Sequence, residues 1–303
     1  MSGADFSTAA QDLVTNDKPI LVGSHAVAKA APSAANMRFV TGDDLNGTTR
    51  TLAGFPTDLA YDFYNHTYTK GDTTSAATWY LSMDLGADAT RVFDVLMVAG
   101  HNLGTIGGLT VSLEVGTSDA FSSVTEIFTT TPGTSNKRIV SVDLSDTSTP
   151  KQWTGEQFVR LKMTKGSGWS GPQIGQLWLG QRRHLPYNFD GSTQGSRIRS
   201  EVIRHSSLSG ITTNYTHSKG QALREGALTL DTAADHTMVE NWWEDTDYGA
   251  KPFLWIENPG TSPADCHVMT SVDTELTFED NGPFSKELDL GMRESAPFLS
   301  GET

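Results

Sequence analysis

The chain has 303 residues, a formal net charge of −14 and 37% hydrophobic residues. This length can bury ordinary apolar cores in two domains, and the negative balance excludes a general nucleic-acid binder, whose affinity comes from neutralising phosphates with basic side chains. The single Cys266 excludes an intrachain disulfide, and no apolar run reaches the length of a membrane span.

Residues 1–19 read as a polar arm ending at Pro19. No apolar leader core follows Met1, so synthesis in a cytoplasm without secretion is expected. Residues 20–185 read as one β-sandwich. Trp79 to Gly86 is an opening strand, and Val92 to Leu103 holds a buried one with Val95, Leu96 and Val98 as core positions. Leu109, Val111, Leu113 and Val115 alternate with Thr110, Ser112 and Glu114, the period-2 mark of a half-buried strand. Phe158 to Thr164 and Gln173 to Gly180 close the sandwich, with Leu161, Leu177 and Trp178 in its core. His101 orders a turn with Asn102. Trp153 and Trp169 fall in predicted loops. Two readings stay open for them: plugs at the sandwich ends, since large aromatics are highly buried on average, or a ligand- or protein-contact surface offering an apolar body and an N–H donor.

The second region, 186–303, opens with β patterning from Arg197 to Arg204, where Ile198, Val202 and Ile203 are apolar. Leu228 to Leu230 is a short strand candidate. Asp231 or Thr232 can cap a helix over Ala233 to Glu244 by accepting from its first free N–H groups. Met238, Val239, Trp242 and Trp243 then share one stripe. Phe253 to Ile256, Cys266 to Met269, Thr274 to Phe278 and Glu287 to Leu290 complete the strands. The fold class is therefore mainly β: a β-sandwich followed by a small β-sandwich or barrel with one packed helix.

Charge is split within this second half. Arg182, Arg183, Arg197, Arg199, Arg204, Lys219 and Arg224 face only Asp190 and Glu201 in sequence, whereas residues 225–303 carry three basic and seventeen acidic residues. Opposite patches can meet head-to-tail between subunits and close a ring; they can also compensate one another inside one chain. Arg182, Arg183, Arg197, Arg199 and Arg204 are accordingly the candidate subunit-interface residues.

The motifs of catalysis are absent from the sequence. There is no Gly-rich phosphate loop, no His-Glu-x-x-His and no paired Cys-x-x-Cys. Gly168-Trp169-Ser170-Gly171 has its glycines at the wrong spacing for a serine-nucleophile turn. No two of the eight histidines lie at i, i+4 on a predicted helix. A protein without catalytic residues, metal or cofactor is expected.

Leu85-Gly86, the apolar strand ending Ala99-Gly-His-Asn-Leu103, Phe158 to Leu161 and Ile174 to Gly180 resemble the discoidin-type jelly-roll domain of tailed-bacteriophage virion proteins. Arg224 to Leu230, the helix at Met238 to Trp243, Pro252 to Trp255 and Leu288 to Leu290 are similar to the sandwich-plus-helix folds of tail-tube and distal-tail proteins. The domain order departs from the usual distal tail protein, where the ring-forming domain comes first. The resemblance implies a structural component of a tail tip or baseplate, located in the virion. It also implies a homo-oligomeric ring of six, with three as the alternative, in contact with tail-tube and hub proteins. The competing function is a carbohydrate-binding adhesion protein whose sandwich grips a host glycan.

Overall fold

The computed structural model describes residues 19–23, 37–42, 49–62, 67–86, 90–134, 138–142, 144, 152–154, 157–185, 197–206, 212–257, 259–260, 266–272, 275–280 and 285–294. Twenty strands and one α-helix lie among them, so the chain is mainly β. A five-stranded antiparallel sheet runs β2 (Met37–Thr41), β4 (Ala76–Asp84), β11 (Phe158–Trp169), β7 (Thr110–Gly116), β8 (Val124–Thr130). Its alternation is the one the sequence predicts. Val111, Leu113 and Val115 stand beside Met163, Leu161 and Val159 in register and face the core.

A three-stranded sheet, β13 (Gln176–Gly180), β6 (Val95–Ala99), β9 (Ile139–Ser141), packs across this core. All five residues of β6 are buried, because the sheet is covered on both faces, the circumstance that turns alternation into a continuous apolar run. Leu96, Val98, Leu177, Leu179 and Ile139 meet the five-stranded sheet. Val95, Met97, Ala99, Val140 and Trp178 meet a third sheet on the other side.

That third sheet has eight strands. Its path is β14 (Arg182–His184), β1 (Ile20–Val22), β17 (Phe253–Ile256), β18 (Cys266–Ser271), β20 (Lys286–Glu294), β16 (Thr212–Leu230), β15 (Arg197–Ser206), with β19 (Phe278–Asp280) also on β20. Ile20, Val22, Leu254, Ile256, Cys266 and Val268 face the three-stranded sheet. Leu21, Phe253, Trp255, Met269, Leu288 and Leu290 face the other way and receive helix α1 (Ala233–Asp245) through Val239, Trp242 and Trp243. The layers are thus sheet, sheet, sheet, helix. Thr232 caps α1 in a reciprocal box with Asp235, at the position the sequence predicts.

The strands differ from the sequence reading at β1 and β14, at β16, and at β19, which begins only at Phe278 where the sequence predicts a strand over Thr274 to Phe278. β1 and β14, read there as parts of the first unit, hydrogen-bond in the third sheet, where β1 lies between β14 and β17. Three-residue strands carry too little pattern to reveal a non-local partner. β16 runs over 19 residues, not three, because its N-terminal part is polar and lacks an alternating apolar signal. The junction is sealed by charge: fully buried Asp94 accepts from Arg182 N at 2.8 Å, its Oδ2 lies 2.9 Å from Arg182 Nε, and Arg182 Nη1 donates to Val142 O.

Candidate ligand-binding site

Alternation sends Tyr80, Ser82 and Asp84 of β4, Phe158, Arg160 and Lys162 of β11, and Ser112 and Glu114 of β7 to the outer face of the five-stranded sheet. In register, Arg38, Ser82, Arg160 and Glu114 form one row across four strands. A sheet face turned to solvent should leave such residues wet, yet Glu114 is 3% exposed and Arg160 6%. The cover is the β7–β8 turn, which folds back over the sheet and lays Phe121 on it. The Arg160 guanidinium sits 4.3 Å from the ring centres of both Tyr80 and Phe121, a double cation–π arrangement. Phe121 also meets Phe158 edge-on at 6.3 Å.

Two backbone features make this cover. Phe121 adopts φ 47°, the left-handed region disfavoured for a bulky residue. A Cβ on Gly116 would stand 3.0 Å from Ser123 O and 3.2 Å from the Phe121 ring, so glycine lets the turn close. Beneath it Glu114 accepts from Arg160 Nε at 2.6 Å and Lys162 Nζ at 2.8 Å. That hydrogen bond holds Lys162 above the usual lysine range, against the opposing effect of its burial.

Beside the turn lies a cavity of about 200 Å³ lined by Arg38, Ser82, Met83, Asp84, Asp119, Phe121 and Phe158. Asp84 is oriented by Gly86 N at 2.8 Å and Gln157 Nε2 at 2.7 Å, both on Oδ1. Its Oδ2, the Arg38 guanidinium, the Ser82 hydroxyl and the Asp119 carboxylate take no partner among the described residues. Arg38 is held in the same cavity as two carboxylates and pairs with neither. The result is a set of donors and acceptors, open to a ligand, beside an edge-on pair of phenyl rings. Such a set can bracket a small hydroxyl-rich ring, with hydrogen bonds at its rim and carbon–hydrogen contacts to the phenyls. Among the described residues no group of three or more His, Cys, Asp or Glu is placed to hold a metal.

The residues singled out from sequence lie elsewhere. Trp169 ends β11 as a buried plug: it packs on Trp79 with ring centres 6.4 Å apart, and its carbonyl accepts from Trp79 Nε1 at 3.1 Å. It offers no ring face to a ligand, which corrects the contact-surface reading for this residue. Trp153, opposite Arg91 in the short pair Gln152–Thr154 and Thr90–Val92, precedes β11, so that strand separates the two tryptophans; its side chain lies outside the described residues. Arg182 is buried against Asp94, and Arg183 is paired with Asp245 at the end of α1. These two serve the internal compensation that the sequence left open. Arg197, Arg199 and Arg204 stand in the edge strand β15, opposite Leu223, Gln221 and Asn214. None of the cavity residues was singled out from sequence; the polar phase of the alternating strand Trp79 to Gly86 is the signal that could have found Ser82 and Asp84.

No family model matches this chain, and no curated protein matches it in sequence. Forty-one chains of solved structures match in fold. The chitosan-binding module 1 of a Paenibacillus chitosanase/glucanase is 13% identical with a TM-score of 0.35, over 52% of this chain and 98% of that one. A Streptococcus pneumoniae fucose-binding module is 10% identical with a TM-score of 0.35, over 52% and 96%. A Ruminococcus gnavus GH29 fucosidase in complex with fucose is 12% identical with a TM-score of 0.32, over 56% of this chain. Only 26% of that enzyme is spanned by the match.

Proposed function

We propose that the protein binds a carbohydrate, and that the ligand's ring occupies the cavity lined by Arg38, Ser82, Asp84, Asp119, Phe121 and Phe158. The observation that carries this reading is the unpaired set in that cavity: Arg38, Ser82, Asp84 and Asp119 present donors and acceptors that do not satisfy one another. Folding leaves opposite charges apart here, and hydroxyl groups can bridge them. Arg38 donates to ring or hydroxyl oxygens, the two carboxylates accept from hydroxyls, and the phenyls take the apolar side of the ring. Support comes from the cavity itself, since likeness at 10–13% identity concerns fold alone. A glycan array probed with the full chain identifies the ligand. Calorimetry on that hit is then expected to show at least about a tenfold loss of affinity in Arg38→Ala and Asp84→Asn, the scale of a hydrogen bond to a charged group. An array without reproducible binding would sink the reading.

A second reading, a structural subunit of a bacteriophage tail tip or baseplate, is favoured by the third sheet. β15 is an edge strand, and β16 pairs with β20 only from Leu223 onward. In that setting the sheets assemble into a ring of six, or three, beside tail-tube and hub proteins in the virion, and the sandwich decorates it. The two readings are compatible: a tail tip that touches its host has use for a glycan site. Electron micrographs of the purified protein test the ring.

A further inference from the structure

We propose that the β15–β16 ribbon of one copy docks against the C-terminal half of α1 on a second copy. The ribbon supplies the first observation. From Thr212 to Ala222, β16 pairs with β15 and with no other strand among the described residues. A two-stranded ribbon of roughly 33 Å therefore continues past the sheet, at about 3.3 Å per residue. Such a ribbon is marginal in water on its own, and among the described residues neither of its outer edges is paired. By sequence it is basic, with Arg199, Arg204 and Lys219 against Glu201, and Arg197 stands at its root, where β16 also pairs with β20.

The second observation lies on α1. Glu240 and Glu244 are exposed, stand four residues apart on one face, and have no partner among the described residues. Asp247 follows in an exposed pair with Lys251 at 3.5 Å. The last turn of the helix holds no basic residue. Like charges at i, i+4 repel, and carboxylates at a helix C-terminus oppose its dipole. Asp245 is already paired with Arg183, which leaves Glu240 and Glu244 as an acidic face complementary in sign to the ribbon. Beside them Tyr248 is 64% exposed, on a turn where Asp247 and Tyr248 both hold positive φ (55° and 57°). An exposed aromatic set among charges is a usual anchor of an interface.

A second copy is the partner because the complementary charge is carried by this same chain. The contact is heterologous, ribbon to helix, and repeats from copy to copy. The inference stands apart from the glycan reading and supplies a contact for the ring reading.

Sedimentation at increasing concentration tests it, with two charge reversals and one neutralisation whose folding is checked by circular dichroism. Arg199→Glu with Arg204→Glu, and separately Glu240→Lys with Glu244→Lys, are each expected to weaken association about tenfold or more. Mixing the two variants should restore association, since each then offers the other a complementary face. If the ribbon variant misfolds, Glu240→Gln with Glu244→Gln on the exposed helix face must still weaken association. A wild type that is monomeric at every concentration overturns both this contact and the ring. A stable ring indifferent to the reversals overturns this contact and leaves the ring reading standing.

Discussion

Arg160 is the residue on which the site turns. Its guanidinium is held between Tyr80 and Phe121 while Glu114 accepts from its Nε. Removing it as Arg160→Ala frees the turn that carries Phe121 and leaves Glu114 buried with Lys162 alone. Glycan affinity is then expected to fall although Arg160 does not line the cavity, whereas Arg160→Lys restores charge without the planar stack and recovers affinity only in part. Lys162 adds a pH dependence. Its pKa is raised in the folded state by Glu114, so its contribution is fully present below the unfolded lysine value of about 10.4 and is lost as pH rises through the folded one. Tyr61, raised by burial and by Asp58 and Asp62, loses stability in the same alkaline direction. Denaturant unfolding is expected to show stability falling above about pH 10, with a smaller fall in Lys162→Met. A flat profile across that window would contradict the pairing with Glu114.

Among the elements, the strands that alternate were legible and the strand that does not alternate was legible only in part. Leu161 of β11 falls in the core at full burial, as its position between Arg160 and Lys162 implies. Leu161→Ala is expected to cost about 2–5 kcal/mol in chemical denaturation. α1 was readable because its cap is local: Thr232 and Asp235 lie three residues apart, and Thr232→Ala is expected to cost about 1 kcal/mol. The run Val95 to Ala99 announced a buried strand, but not that a third sheet covers its far face. The cavity was hidden for a related reason. Its walls come from β2, β4, the β7–β8 turn and β11, and no local pattern in Arg38, Ser82, Asp119 or Phe158 brings four distant segments together. Trp169 reads as a loop residue from its flanking glycines, while the bulged end of β11 carries it back to Ala76 and into the core, where it is the plug that one of the two open readings describes.

At the scale of the whole molecule, the sandwich and the third sheet share a continuous apolar layer, and Asp94 with Arg182 fixes the seam. Asp94→Ala strands a buried guanidinium and is expected to cost about 3–5 kcal/mol. Unfolding followed by near-ultraviolet dichroism should then show the tryptophans of both halves, Trp79 and Trp255, losing order together. Two separated transitions in the wild type would show the layers to be energetically independent. This rigid backing also governs the site, because the three-stranded sheet supports the five-stranded sheet whose outer face carries the cavity. The central claim is that a sugar sits on that outer face. The direct measurement is chemical-shift mapping on the full chain with the array-identified sugar at saturation. Shifts concentrated at the Phe121 and Phe158 ring protons and the Arg38 side chain are the expected result; shifts gathered around Trp169 at the far end of β11, with the cavity silent, would contradict it.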